Sequence, residues 1–204
     1  MKFFPTLTEV KEIAKTGKYD ILPVSCEILS DFITPIEAMR ILQNVSTHCY
    51  LLESAQANEA WGRYTFLGYD PKLEINCIDG HMKLGKLSVE TDNPSEYIRQ
   101  ILSEYKSPKF DYLPSFTGGL VGYFSYDYLG YKEKSIRGKA RDTEDFKDVD
   151  LMLFDKVIAF DNLCQKIILI ANMPLDAPET GYNKAIVELK QLRELLMHGE
   201  KKQN

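Results

Sequence analysis

Cys49-Tyr50-Leu51-Leu52-Glu53-Ser54 is followed, eight residues after Ser54, by Gly62-Arg63-Tyr64-Thr65-Phe66-Leu67-Gly68, and these two segments decide how the chain is read. The first is an apolar run that ends abruptly in a carboxylate and a hydroxyl. It reads as a buried strand whose last two side chains emerge where polar partners are available. The second alternates around Tyr64 and Phe66 between two glycines and reads as the neighbouring strand. A carboxylate beside a hydroxyl at a strand end has two readings. Such residues can serve only to turn the chain, or they can hold an amino group.

Working outward, further strands are predicted at 21–29, 48–54, 63–69, 73–78, 82–84, 118–126, 157–160 and 167–171. Asp79-Gly80 reads as a hairpin turn, because both central residues of that turn need positive φ, and Asp161-Asn162 reads as a second turn. Short turns between successive strands imply antiparallel pairing. Thr6 with Glu9, Thr34 with Glu37 and Asn93 with Glu96 have capping-box spacing. Pro35 and Pro94 stand at the first helical position, so three helices are expected to start there. A fourth is predicted over 181–197, with Tyr182, Ile186, Leu189, Leu192 and Leu196 as one apolar stripe and Gly199 as its stop. The fold class is therefore α+β, with largely antiparallel sheets and flanking helices.

Composition narrows the function classes. The chain has 204 residues and a net charge of −5, with no basic cluster longer than Lys201-Lys202, which argues against nucleic acid as a partner. No apolar run approaches a membrane span, and the N-terminus Met1-Lys2-Phe3-Phe4-Pro5 lacks a signal-peptide core; a cytosolic protein is expected. Cys26, Cys49, Cys77 and Cys164 are scattered, sit mostly in apolar segments and read as reduced core thiols. The three histidines have no metal-ligand spacing. There is no G-x-G-x-x-G and no phosphate loop, so nucleotide binding has no support.

Two segments stand apart. Residues 131–150 are rich in Arg, Lys, Asp and Glu, and read as a solvated loop; their carboxylates lack the glycine of a calcium loop. Gly118-Gly119 falls inside a strand pattern, which marks a close approach of backbone, packing partner or ligand.

Five blocks, in order, resemble the N-terminal half of anthranilate synthase component I. They are Leu22-Pro23-Val24 through Glu27-Ile28-Leu29 with Asp31 and Thr34-Pro35; Leu51 to Ser54; Gly62 to Gly68; Phe116-Thr117-Gly118-Gly119-Leu120-Val121-Gly122-Tyr123-Phe124-Ser125-Tyr126-Asp127; and Asp150-Leu151-Met152 through Phe160-Asp161. That family makes anthranilate and pyruvate from chorismate and ammonia, a step of tryptophan biosynthesis. The resemblance implies one domain over 1–199 with a polar tail at 200–204, and a feedback site for L-tryptophan, an allosteric effector, at Leu52, Glu53 and Ser54. Arg63 and Tyr64 on the next strand are candidates to assist or close that site; a surface arginine and a core tyrosine are the alternative. Trp61 is either a stacking platform or loop packing.

Free tryptophan carries an ammonium, a carboxylate and an indole. A selective pocket needs an acidic or carbonyl group, hydroxyl or N–H donors, and an apolar slot. Glu53 and Ser54 offer the first two kinds. The resemblance also implies that chorismate binding, the magnesium-coordinating carboxylates and the catalytic acid and base lie in a C-terminal half whose motifs do not occur here. No catalytic or metal residue is assigned to this chain, no cofactor is expected in it, and turnover of chorismate by it alone is not expected. Implied partners are the chorismate-binding half and a glutamine amidotransferase subunit. The alternatives are aminodeoxychorismate synthase component I, of the folate branch, and a stand-alone amino-acid-binding or interaction module.

Overall fold

The computed structural model describes residues 1–53, 62–133 and 146–202. Their elements are β1 (Phe3–Phe4), α1 (Leu7–Lys15), β2 (Ile21–Leu29), α2 (Pro35–Val45), β3 (Cys49–Leu52), β4 (Tyr64–Tyr69), β5 (Leu73–Ile78), β6 (His81–Leu84), β7 (Leu87–Glu90), α3 (Pro94–Ser103), β8 (Gly119–Phe124), a 3-10 turn (Tyr126–Tyr131), β9 (Val149–Phe154), β10 (Lys156–Asp161), β11 (Lys166–Pro174) and α4 (Pro178–His198). They form two compact units, one from 1–70, 105–118 and 154–204 and the other from 71–104 and 119–153. Among the described residues no helix is long and apolar enough to cross a membrane.

The first unit is built on a six-stranded sheet in the order β1-β2-β11-β10-β4-β3, antiparallel at every step. Side chains alternate across a strand, and here both faces are covered. Ile158, Phe160, Ile167, Leu169 and Ala171 meet Val10 of α1, Ile41 and Leu42 of α2, and Leu189 and Leu192 of α4. Val157, Ala159, Ile168 and Ile170 form a second cluster on the other face, with Tyr64, Phe66, Leu113 and Phe116 packed on it. Coverage on both sides explains why Ile167-Ile168-Leu169-Ile170 is an unbroken apolar run.

The capping boxes at Thr6 and Thr34 are both formed. Helix α3 starts where predicted, but Asn93 does not cap it with its side chain; its Oδ1 accepts the Ser95 hydroxyl at 2.7 Å instead. Helix α4 begins a turn earlier than predicted because Pro178 is at its start. Its predicted stripe is buried at Tyr182, Leu189, Leu192 and Leu196, with Ile186 packed partly buried beside it, and Gly199 is its C-cap. Gly199 lies in extended backbone (φ −67°), and it is glycine for want of space: an added Cβ would lie 2.4 Å from the Leu195 carbonyl oxygen and 2.5 Å from Ile41 Cγ2.

The second unit has a five-stranded sheet, β7-β6-β5-β9-β8. Ile98 of α3 packs with Ile75, Cys77, Met82, Val149 and Leu151. Asp79 and Gly80 have φ of 49° and 83° and turn β5 into β6 as predicted. The Tyr131 hydroxyl accepts from Gly80 N at 2.6 Å and donates to Asp148 Oδ2 at 2.7 Å; burial, then its bonds to Cys77 and Asp148, raise its pKa. The strand predicted at 118–126 is shorter, ending at Phe124 before the 3-10 turn. Three strands went unpredicted: β1, of two residues; β7, of four, mostly exposed; and β9, the strand that emerges from the acidic segment at 131–150. Residues 134–145 of that segment lie outside the described residues.

Candidate functional site

Strands β3 and β4 pair with Leu52 opposite Phe66 and Tyr50 opposite Gly68, so the C-terminal end of β3 and the start of β4 share one end of the sheet. Leu52 is exposed there, and Glu53 follows it, also exposed. Tyr64 lies opposite Asp161, the last residue of β10. Four of the five residues expected at the site, Leu52, Glu53, Arg63 and Tyr64, are thus carried to one end of neighbouring strands. Ser54 lies outside the described residues, as does Trp61.

The face that Tyr64 and Phe66 share is aromatic. Their ring centroids are 5.8 Å apart, and Phe66 meets Phe116 edge-on at 5.6 Å. Further along, Tyr50 packs edge-on to Phe154 at 4.7 Å. Gly68 is what lets the Tyr50 ring lie flat, since a Cβ at 68 would be 2.2 Å from Tyr50 Cε1. The Tyr50 hydroxyl has no hydrogen-bond partner among the described residues, and burial raises its pKa.

Arg63 and Asp161 close this end of the face. Arg63 donates from Nε to Oδ1 at 3.1 Å and from Nη2 to Oδ2 at 2.7 Å, a two-pronged pair of the strong, charge-assisted kind. Asp161 is 1% exposed, whereas the Arg63 side chain is 36% exposed. Backbone N–H groups of Leu163 and Cys164 also donate to Asp161 Oδ1, at 3.2 and 3.0 Å. Burial is the largest influence on this carboxyl and opposes its charge, yet the Arg63 bonds and the Cys164 N–H outweigh it and hold the pKa below its usual value. The Asp161 hydrogen bond raises Arg63 in turn. The guanidinium also lies over the Tyr64 ring, 4.9 Å from its centroid, a cation–π contact. Arg63 is therefore neither a loose surface arginine nor a free cation, and Asp161, read from sequence as a turn residue, is its buried counter-ion. The pairing is not local: 98 residues separate the partners, and only the β4–β10 register joins them.

The glycine block at 118–122 resolves toward packing. A Cβ at Gly118 would meet Asn172 Nδ2 at 2.6 Å, and one at Gly122 the Asp150 carbonyl oxygen at 2.0 Å. Cys26 and Cys77 are buried, whereas Cys164 is exposed, a correction to its reading as a core thiol; burial pushes the Cys26 thiol up to about 12. Among the described residues no group of three His, Cys, Asp or Glu is placed to hold a metal ion.

Comparison with known proteins decides the family. No family model matches the chain. Anthranilate synthase component 1 of Acetivibrio thermocellus is 34% identical over 200 residues, spanning 95% of this chain and 40% of that protein. The Pseudomonas aeruginosa protein of the same name is 34% identical over 196 residues, 92% of this chain and 39% of its own length. The chain belongs to the anthranilate synthase component I family. A crystal structure of anthranilate synthase component I from Streptococcus pneumoniae agrees, with a TM-score of 0.52 and 26% identity over 81% of this chain and 36% of that one. It supports the antiparallel α+β fold. This chain spans about two fifths of the length of the component I relatives it matches.

Proposed function

We propose that this chain is the tryptophan-sensing part of an anthranilate synthase component I, an enzyme that works with a glutamine amidotransferase subunit and turns chorismate and ammonia into anthranilate and pyruvate. The carrying observation is the convergence of Leu52, Glu53, Arg63 and Tyr64 at one end of β3 and β4, beside the aromatic face of the sheet. The chemistry matches a zwitterion with an aromatic tail. Glu53 suits the ammonium, Arg63 suits the carboxylate, and Leu52, Tyr64 and Phe66 offer apolar surface to the indole. Ser54, adjacent in sequence, adds a hydroxyl donor to this set by resemblance. Chorismate binding and its magnesium belong, in this reading, to the part of the relatives outside the match, and no step of chemistry is assigned to the described residues. The names of the relatives favour the anthranilate branch over aminodeoxychorismate.

The test is isothermal titration of the chain with L-tryptophan, L-phenylalanine and L-glutamate. Saturable binding of L-tryptophan in preference to the other two is expected. No binding of L-tryptophan up to its solubility limit overturns the reading.

A further inference from the structure

The Arg63 guanidinium has five N–H donors in a rigid fork. Two go to Asp161, and Nη2 also lies 3.6 Å from Cys164 Sγ. The two on Nη1 have no acceptor among the described residues. One face of the group rests on Tyr64. Asp161 is itself well held: it ends a strand and is paired on both sides, with Lys166 and Tyr64, is buried, and receives two backbone N–H bonds from the turn that follows. A long, flexible side chain at a strand end is thus held from the Nε edge and from its ring face, with one nitrogen unmatched among the described residues.

From this geometry we infer that Asp161 is a positioning residue for the ligand carboxylate: it orients Arg63 so that Nη1 is presented to an α-carboxylate at the end of β3 and β4. The inference rests on the tryptophan-sensing reading and adds a residue to it that does not itself touch the ligand. The opposite outcome has an equally definite mechanism. If Asp161 mainly neutralises Arg63, removing its charge frees the cation and carboxylates bind more tightly.

The experiment compares L-tryptophan with tryptamine, which lacks the carboxylate, by calorimetric titration of the wild-type chain, Asp161→Asn, Arg63→Ala and the double variant. Loss of an oriented hydrogen bond to a charged group corresponds to roughly 10- to 150-fold in affinity. Asp161→Asn is expected to weaken L-tryptophan by about tenfold or more, to leave tryptamine unchanged, and to add nothing to Arg63→Ala. Equal or tighter binding of L-tryptophan by Asp161→Asn overturns the inference, as does equal weakening of both ligands. If Asp161→Asn does not fold, Arg63→Lys replaces it, since lysine keeps the charge without the fork; unchanged L-tryptophan affinity in that variant likewise overturns the inference. Failure of the wild-type chain to bind L-tryptophan at all marks failure of the sensing reading, and takes the inference down with it. Binding by wild type with no Asp161 effect marks failure of the inference alone.

Discussion

Gly68→Ala puts a single methyl group under a buried aromatic ring, and its cost can be worked from the contacts. Gly68 pairs with Tyr50 across β3 and β4. The new Cβ would stand 2.2 Å from Tyr50 Cε1, 2.7 Å from Cζ and 2.9 Å from the hydroxyl oxygen. Carbon atoms settle near 3.5–4 Å, so the ring must retreat by roughly 1 Å or more. Phe154, with its centroid 4.7 Å away, stands against it. Forcing extra volume into a packed site costs about 1–3 kcal/mol. Exchanging glycine for alanine in a strand returns about 0.5–1 kcal/mol. A net loss of about 1–2 kcal/mol is therefore expected, a fall in Tm of roughly 2–8 °C for a chain of this length.

The sign of the same substitution should reverse in a Tyr50→Ala background, where the obstruction is gone and only the strand gain of about 0.5–1 kcal/mol is left. Thermal and urea unfolding of wild type, both single variants and the double variant close the cycle, and a coupling of about 2 kcal/mol falls within the range for residues in contact. Equal destabilisation by Gly68→Ala in the two backgrounds would refute the reasoning. In that case the Tyr50 ring is not what requires glycine at 68.

Three further outcomes are expected. Tyr50→Phe should stabilise the chain by about 1 kcal/mol, because it removes a buried hydroxyl without a partner at little cost in shape; a lower Tm would show that the hydroxyl is bonded in solution. Thr34→Ala should cost about 0.5–2 kcal/mol as a lost cap, whereas Asn93→Ala, whose side chain does not cap α3, should cost less in the same urea titration; the reverse order would contradict the observed caps. The Lys201 hydrogen bond, with those of Thr34, holds the Glu37 pKa at about 2 against an ordinary 4.5. A depressed carboxylate stabilises the fold above its unfolded pKa, and the contribution is lost as pH falls from 4.5 through 2. Urea midpoints between pH 5 and pH 2 should therefore fall more steeply for wild type than for Lys201→Met; parallel curves would refute the linkage.

Much of the fold was legible where local rules and tertiary packing agree. Thr6 and Thr34 read as caps because the capping box is a contact between residues three apart, and Asp79-Gly80 read as a turn because its conformation admits few other residues. Strand β2 was found at its observed bounds, Ile21–Leu29, since it is apolar along most of its length. Strand β9 was hidden because Asp150 interrupts its apolar pattern and an acidic stretch precedes it. Asn93 had the right neighbours in sequence, but Ser95 competes for its oxygen, an alternative partner that spacing does not reveal. Leu52, Glu53, Arg63 and Tyr64, expected at one site, lie at one end of β3 and β4, while Asp161, the buried partner of Arg63, reads from sequence only as a turn residue.

The burial of Asp161, which a turn motif in sequence does not reveal, is also what the sheet contributes to the position of Arg63. At the end of a strand with one wet face, an aspartate before a turn needs no partner beyond water and the backbone. Here it shares a face with Val157 and Ala159, flanked by Phe66 of the neighbouring strand and packed by Leu113 and Phe116, and it is buried, so its charge is taken out of water and must be matched inside the protein. The nearest pairing register brings Tyr64 opposite it and places Arg63, one residue earlier, within reach. Burial thus converts a turn residue into an anchor for a cation, and the cation stands where an apolar face meets the strand end that carries Leu52 and Glu53. In the proposed sensing reading, a ligand with an aromatic body and a zwitterionic head suits that order of groups, and its carboxylate would meet the Arg63 Nη1 donors that Asp161 does not take.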